Sequence, residues 1–275
     1  MKLKKKYVHN NKRQVFRLIP TTTGKLIIEE REPDKKQAYF NCFNIDSGKR
    51  IFKNLQLDEK FWVGIEAVYN DIIFFHRFTK PDMPQHNGII AFDINDQKVM
   101  WQDDYKTFLF IEDEKVYAFR QMFEERNHFA LDYKTGNIIK ELGSDSVSIN
   151  NLREETIASE DFSGYLFPQK FSSTFIFNET ADQFLKSLRE ILLISGSIEY
   201  VLIDNLLFFN FHEINADNSL KNIFKAVDLS KGKYILEVTL NSHTNAFAPD
   251  SFFVKNDLLF LLIERMKVGV YKIVN

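Results

Sequence analysis

The stretch NDIIFFHRFTKPDMPQHNGIIAFDINDQKVMW, Asn70 to Trp101, decides how the chain is read. A polar pair leads into an apolar strand. A charged, proline-containing segment follows, and the chain returns as a second apolar strand, turns at DINDQK and leaves as a third. Polar turns between β-branched and aromatic runs mark β-hairpins.

Both marks recur. FNIDSGKRIF starts at Phe43, FDINDQKVMW at Phe92, LDYKTGNIIK at Leu131 and VDLSKGKYIL at Val227. Each places Asn or Asp (Asn44, Asp93, Asp132, Asp228) between apolar residues ahead of a polar turn. That side chain is expected to brace the turn. The run NDIIFF is repeated as DNLLFF (Asp204–Phe209) and NDLLFL (Asn256–Leu261), and more loosely as EKVYAF (Glu114–Phe119) and GKLIIE (Gly24–Glu29).

One unit is therefore strand A, polar turn, strand B, variable loop, strand C, tight turn, strand D. Its B strands begin near Leu26, Ile72, Val116, Leu206 and Leu258, spaced by 46, 44, 90 and 52 residues. The hairpin motifs are spaced by 49, 39 and 96. Both series contain one double step, which places a further unit near GYLFPQK (Gly164–Lys170) and gives six units of roughly 45 residues. Four-stranded antiparallel units of this length predict an all-β, six-bladed β-propeller, a single domain over residues 1–275. The last unit stops at VGVYKIVN (Val268–Asn275), a C strand without its D strand, and Leu3–Asn10 is available to supply it. Closure by the two terminal strands would remove a sheet edge. The fourth unit is irregular: a C strand ending near Phe177, then a short helix or distorted D strand, with helical spacing at Phe184, Leu188 and Leu192.

Composition narrows the class. Apolar residues are 44% of the 275, Phe occurs 28 times and Gly 10 times, so a packed, strand-rich core is expected. A formal charge of −2 argues against nucleic-acid binding through phosphate neutralisation. No apolar run reaches membrane-spanning length, no secretory h-region follows the basic start, and the single Cys42 forms neither a disulfide nor a Cys-based zinc site. The expectation is a soluble cytoplasmic protein.

The four hairpin segments resemble the repeat of quinoprotein-type (PQQ-type) propellers, an apolar–Asp–apolar–x–x–Gly–Lys core followed by apolar residues and often Trp. GIIAFDINDQKVMW (Gly88–Trp101) matches best. The whole chain is similar to uncharacterised propellers with such repeats. The resemblance implies the fold. The quinone cofactor is not carried over, because those enzymes have more blades, a secretory context and a calcium site.

In such a meander, B–C loops and D–A links share one face. The B–C segments EEREPDKKQ, HRFTKPDMPQHN, RQMFEERNH and FHEINADNSLKN are charged and differ in every unit, as binding loops on a rigid scaffold do. Superposing the B strands makes Glu30, His76, Arg120 and Asn210 equivalent. They form either a polar ring that binds a ligand or ordinary strand ends meeting solvent. His86, between Pro81, Pro84 and Gly88, is a further ligand-binding candidate beside the reading of a solvent-facing loop residue. Trp62, in a D–A link, would stack on a ligand or pack between blades. A metal site from His76, His128 and His212 would need three blades to converge, and no H-x-H or H-E-x-x-H spacing occurs, so no metal is assigned. No nucleophile elbow, phosphate loop or dinucleotide fingerprint occurs either. The reading is a non-catalytic binding module for a small molecule or protein, with no cofactor and no catalytic residue. The alternative is a hydrolase- or lyase-type propeller enzyme with His and carboxylate groups at the channel mouth.

Overall fold

The computed structural model describes residues 2–80, 83–172, 178–249 and 251–274. It divides into two compact units, residues 13–161 and residues 1–12 with 162–275.

The unit of residues 13–161 holds three four-stranded antiparallel meanders in chain order. The first comprises β2 (Gln14–Pro20), β3 (Lys25–Glu32), β4 (Gln37–Asn44) and β5 (Arg50–Leu55); the second β6 (Val63–Tyr69), β7 (Ile72–Lys80), β8 (Met83–Asp93) and β9 (Lys98–Asp103); the third β10 (Thr107–Glu112), β11 (Lys115–Gln121), β12 (Arg126–Asp132) and β13 (Ile138–Gly143). Consecutive side chains of a strand point to opposite faces. Ile73 and Phe75 of β7 thus pack with Phe40, Cys42 and Phe52 of the first sheet, while Ile72 and Phe74 pack with Phe108, Val116 and Leu131 of the third. The second sheet is buried on both sides, which is why its central strand reads as a continuous apolar run.

The other unit carries β16 (Ile194–Ile203), β17 (Leu206–Ile214), β18 (Leu220–Asp228) and β19 (Lys233–Thr244) in one sheet, and β20 (Phe252–Lys255), β21 (Leu258–Ile263), β22 (Lys267–Val274) and β1 (Lys2–Asn10) in another. Phe208 and Phe224 of the first pack with Phe252, Leu259 and Leu261 of the second. β1 pairs antiparallel with β22, from Lys2↔Val274 to Asn10↔Lys267, so the amino-terminal strand does supply the D strand of the last meander.

Both turn types follow the sequence. Between strands A and B of four of the five sheets lie two-residue turns, with left-handed φ at Asn70 (49°), Asp113 (45°), Asp204 (48°) and Asn256 (52°). At the C–D turns, Asn44 Oδ1 accepts from Ser47 N at 2.9 Å, Asp93 Oδ1 from Asn95 N and Asp96 N at 2.7 and 2.8 Å, Asp132 Oδ1 from Thr135 N at 2.8 Å, and Asp228 Oδ1 from Ser230 N at 3.1 Å. The braces predicted for these four residues are all made.

The described residues form five sheets. Two expectations are corrected. Where the fourth unit was expected, Tyr165–Leu166 (β14) joins the edge of β20 and Gln169–Lys170 (β15) joins β16. The double spacing holds two helices, α1 (Ser146–Ala158) and α2 (Glu179–Ile191), and α2 forms where the helical spacing was read. Asn178 caps α2 by accepting from Ala181 N at 3.0 Å, and Ala181, Leu185 and Leu188 bury its apolar stripe against Phe209 and Phe211 of β17. Helix α1, capped by Asp145, buries only Ile149, so no stripe announces it. The C strand expected to end near Phe177 lies outside the described residues. The B–C segments are also shorter as loops than expected, because the strands continue through them: β7 and β8 pair out to Lys80↔Met83, which places His86 within a strand.

Deleting Lys2–Asn10 strips the pairing partner from β22 and uncovers part of the core that Leu3 packs against. The cost should be several kcal/mol, lowering the Tm by about 10 °C. A thermal melt of the truncated chain checks this, and an unchanged Tm contradicts it.

Candidate functional site

Two irregularities in the second sheet build a site at the end where β6 begins and β7 runs into β8. In β6 the register passes from Ile65↔Phe75 to Ala67↔Phe74, leaving Glu66 as an extra, unpaired residue. In β8 it passes three residues, from Ile90 to Asn87, opposite the two from Phe75 to Arg77, so Gly88 and Ile89 face His76 alone. Gly88 takes φ 73°, the left-handed conformation this bulge requires. Bulges re-aim side chains. Here they turn Glu66 toward two histidines.

Glu66 Oε1 lies 2.5 Å from His86 Nδ1 and 3.1 Å from His76 Nδ1. The two imidazoles stack with centroids 3.5 Å apart and planes 7° from parallel. His76 is 1% exposed, and neither of its ring nitrogens has an aligned hydrogen bond among the described residues. His86 and Glu66 are half-buried. Burial pushes the His76 imidazole below its usual pKa, against the pull of Glu66. Burial would raise the Glu66 carboxyl, but the two histidines beside it outweigh that and hold it below the usual carboxylate range. At neutral pH the cluster therefore holds an ionised carboxylate and a neutral His76.

Aromatic rings wall the cluster. Phe78 meets His76 edge-on at 4.9 Å and His86 at 5.3 Å, and Trp62 meets Phe78 at 6.2 Å. The link bearing Trp62 is held by Arg31 of β3, which donates to Phe61 O and, at 2.5 Å, to Val63 O. Glu59 accepts from Phe61 N and Trp62 N, each at 2.9 Å. Thr107 of the third sheet donates to His86 O at 3.3 Å.

The other sequence candidates sit elsewhere. Glu30 is fully buried, 3.4 Å from Arg13 Nη1 and accepting from Asn41 Nδ2 at 3.1 Å. Arg120 is exposed, its guanidinium 5.5 Å from the Tyr105 ring. Asn210, in the other unit, heads a buried chain through Asn222 (3.0 Å) and Ser251 (2.9 Å). The burial of Glu30, His76 and Asn210 removes the reading of these three as solvated strand ends, while Arg120 remains at the surface. His128 Nδ1 lies 3.0 Å from Gly143 O, and His212 Nε2 accepts from Ala248 N at 3.2 Å, so each has its own partner. Sequence reasoning found Trp62, His76 and His86 but missed Glu66. The available signal was a lone charge inside the apolar strand VGIEAVY.

A family model described as a domain of unknown function (DUF4905) matches residues 19–101, a span that contains all three members of the cluster. No curated protein matches the chain. Among solved structures it is similar to KlHsv2 with loop 6CD replaced by a Gly-Ser linker, at 10% identity over 90% of this chain and 74% of that one, with a TM-score of 0.30. It is also similar to the Dos1 propeller, at 12% identity over 90% of this chain and 51% of that one, with a TM-score of 0.28. The chain thus spans about half the length of the Dos1 chain.

Gly64 faces His76 across the β6–β7 ladder, and a Cβ there would lie 2.9 Å from His76 Cε1 and Nε2. The buried ring has no free space to yield into. Gly64→Ala should cost about 1–3 kcal/mol, or roughly 3–10 °C in Tm. Melting both proteins tests this; equal Tm values would mean the ring is not held against Gly64.

Proposed function

We propose that the chain is a non-catalytic binding module of the β-propeller type, a single domain over residues 1–275 with the meanders as blades. Its ligand, a small molecule or a protein, is recognised at the B–C ends of the sheets. Sequential four-stranded meanders, packing of the second sheet between its two chain neighbours, and β1 completing the last meander support the propeller reading. The observation that carries the binding reading is the gathering of Trp62, Phe78, His76, His86 and Glu66 at one sheet end. Buried polar groups set beside aromatic faces are what a small-molecule site offers. Arg120 stands near the corresponding end of β11 in the third sheet, and Asn210 lies in β17 of the other unit.

The second reading is a hydrolase- or lyase-type enzyme. It draws on the Glu66–His86 contact at 2.5 Å, since a carboxylate that orients an imidazole is the base half of an acid–base pair.

A thermal-shift panel of small carboxylates, phosphates and sugars, run in EDTA, separates these readings. A true ligand at about a hundredfold over its Kd should stabilise the wild type by about 2.7 kcal/mol. Trp62→Ala and Arg120→Ala should each weaken that same ligand roughly tenfold or more while leaving the fold intact. A compound that the wild type converts, and that His86→Ala binds without converting, selects the enzyme. Responses identical in the wild type and both variants remove this face as the binding site.

A further inference from the structure

We propose that Glu66, His76 and His86 form a binding site for a divalent first-row transition ion, with Zn2+ as its natural probe. One ligand atom from each residue lies within 4.8 Å of the others. The cluster lies within one sheet, so it stands whatever the B–C ends recognise and however the sheets are arranged.

Three observations point to an ion rather than to a plain ion pair. First, Nδ1 of both imidazoles lies near the same oxygen, Glu66 Oε1, at 2.5 Å for His86 and 3.1 Å for His76. One carboxylate oxygen facing two stacked rings gathers three donor atoms in one place, which a cation of charge two can bridge. Second, His76 is almost wholly buried, and neither of its ring nitrogens has an aligned hydrogen bond among the described residues. An orphaned buried imidazole is costly unless something occupies its lone pair. Third, the backbone is shaped for it: bulges at Glu66 and at Gly88 bring the donors together, and a missing Cβ at Gly64 leaves room for the ring.

The donor set selects the ion. Two imidazoles and one carboxylate suit Zn2+, Co2+, Ni2+ or Fe2+; Ca2+ and Mg2+ prefer all-oxygen shells. In a tetrahedron with bonds of about 2.0–2.1 Å, ligand atoms stand about 3.3 Å apart. His76 already stands at nearly that distance from Glu66, and His86 needs to withdraw by less than about 1 Å. His86 is 32% exposed and has that freedom. Three protein ligands leave a fourth position, where water or an anionic ligand can bind.

The test uses the full chain stripped with EDTA. Zn2+ is titrated against a chromophoric chelator into the wild type, Glu66→Gln, His86→Ala and, as a control for surface histidines, His243→Ala. The expected result is one equivalent bound by the wild type and by His243→Ala, with affinity at least about a hundredfold weaker in the other two. Co2+ should give the visible d–d absorption of a four-coordinate N/O site in the wild type and lose it in Glu66→Gln, while excess Mg2+ should not compete. Glu66→Gln preserves shape, so a loss of binding with an unchanged metal-free melt reports the ligand rather than the fold. If His86→Ala fails to fold, the Glu66→Gln titration and the Co2+ spectrum still decide. No stoichiometric Zn2+ in the wild type, or equal binding by wild type and Glu66→Gln, overturns the site.

Discussion

Strand β7 buries Ile73, Phe74 and Phe75 completely, and their side chains alternate between its two faces. β17 does the same with Leu207, Phe208 and Phe209, and β21 with Leu259, Phe260 and Leu261. A strand with both faces apolar needs cover on both sides. The second sheet obtains it from the sheets before and after it in the chain. The β17 sheet obtains it from the β20–β22 sheet on one face and from helix α2 on the other. This two-sided burial sets the sheet stacking within each unit, and the hairpin turns only make it reachable along the chain.

The same constraint shapes the site. Three of the apolar runs end in a polar residue, Glu30, His76 and Asn210, while the ladder continues beyond it, so that residue is carried into the interior. Buried polar groups need partners. Glu30 finds Arg13 and Asn41, and Asn210 finds Asn222. His76 is the least satisfied of the three, and beside it the ladder is broken by a bulge on each flanking strand. Unmet hydrogen-bonding capacity, an ionised carboxylate and a ring of aromatic faces coincide there, which makes this sheet end the most chemically capable place among the described residues.

Much of this was legible in the sequence for local reasons. The Asn and Asp braces at residues 44, 93, 132 and 228 act over two or three residues, and the two-residue A–B turns carry their own left-handed Asn and Asp. The pairing of β1 with β22 was legible by a different route, because a meander one strand short leaves an unpaired edge. Where periodicity alone carried the argument, it placed helix α2 but not the strands expected beside it. A gap of 90 residues fits two repeats, yet its length is equally served by helices α1 and α2.

His76, His86 and Trp62 could be named from residue type and position, but their grouping with Glu66 could not. Sequence periodicity assumes an unbroken ladder in which alternate residues share a face. Each bulge adds one residue and reverses that parity, and whether a ladder bulges is decided by the partner strand and the packing beyond it. The sequence by itself determined the strands, their turns and the terminal pairing, because those follow from local backbone chemistry and from counting. Only the tertiary structure decided that Glu66 turns toward two stacked histidines, because that depends on register, and register is a property of paired strands.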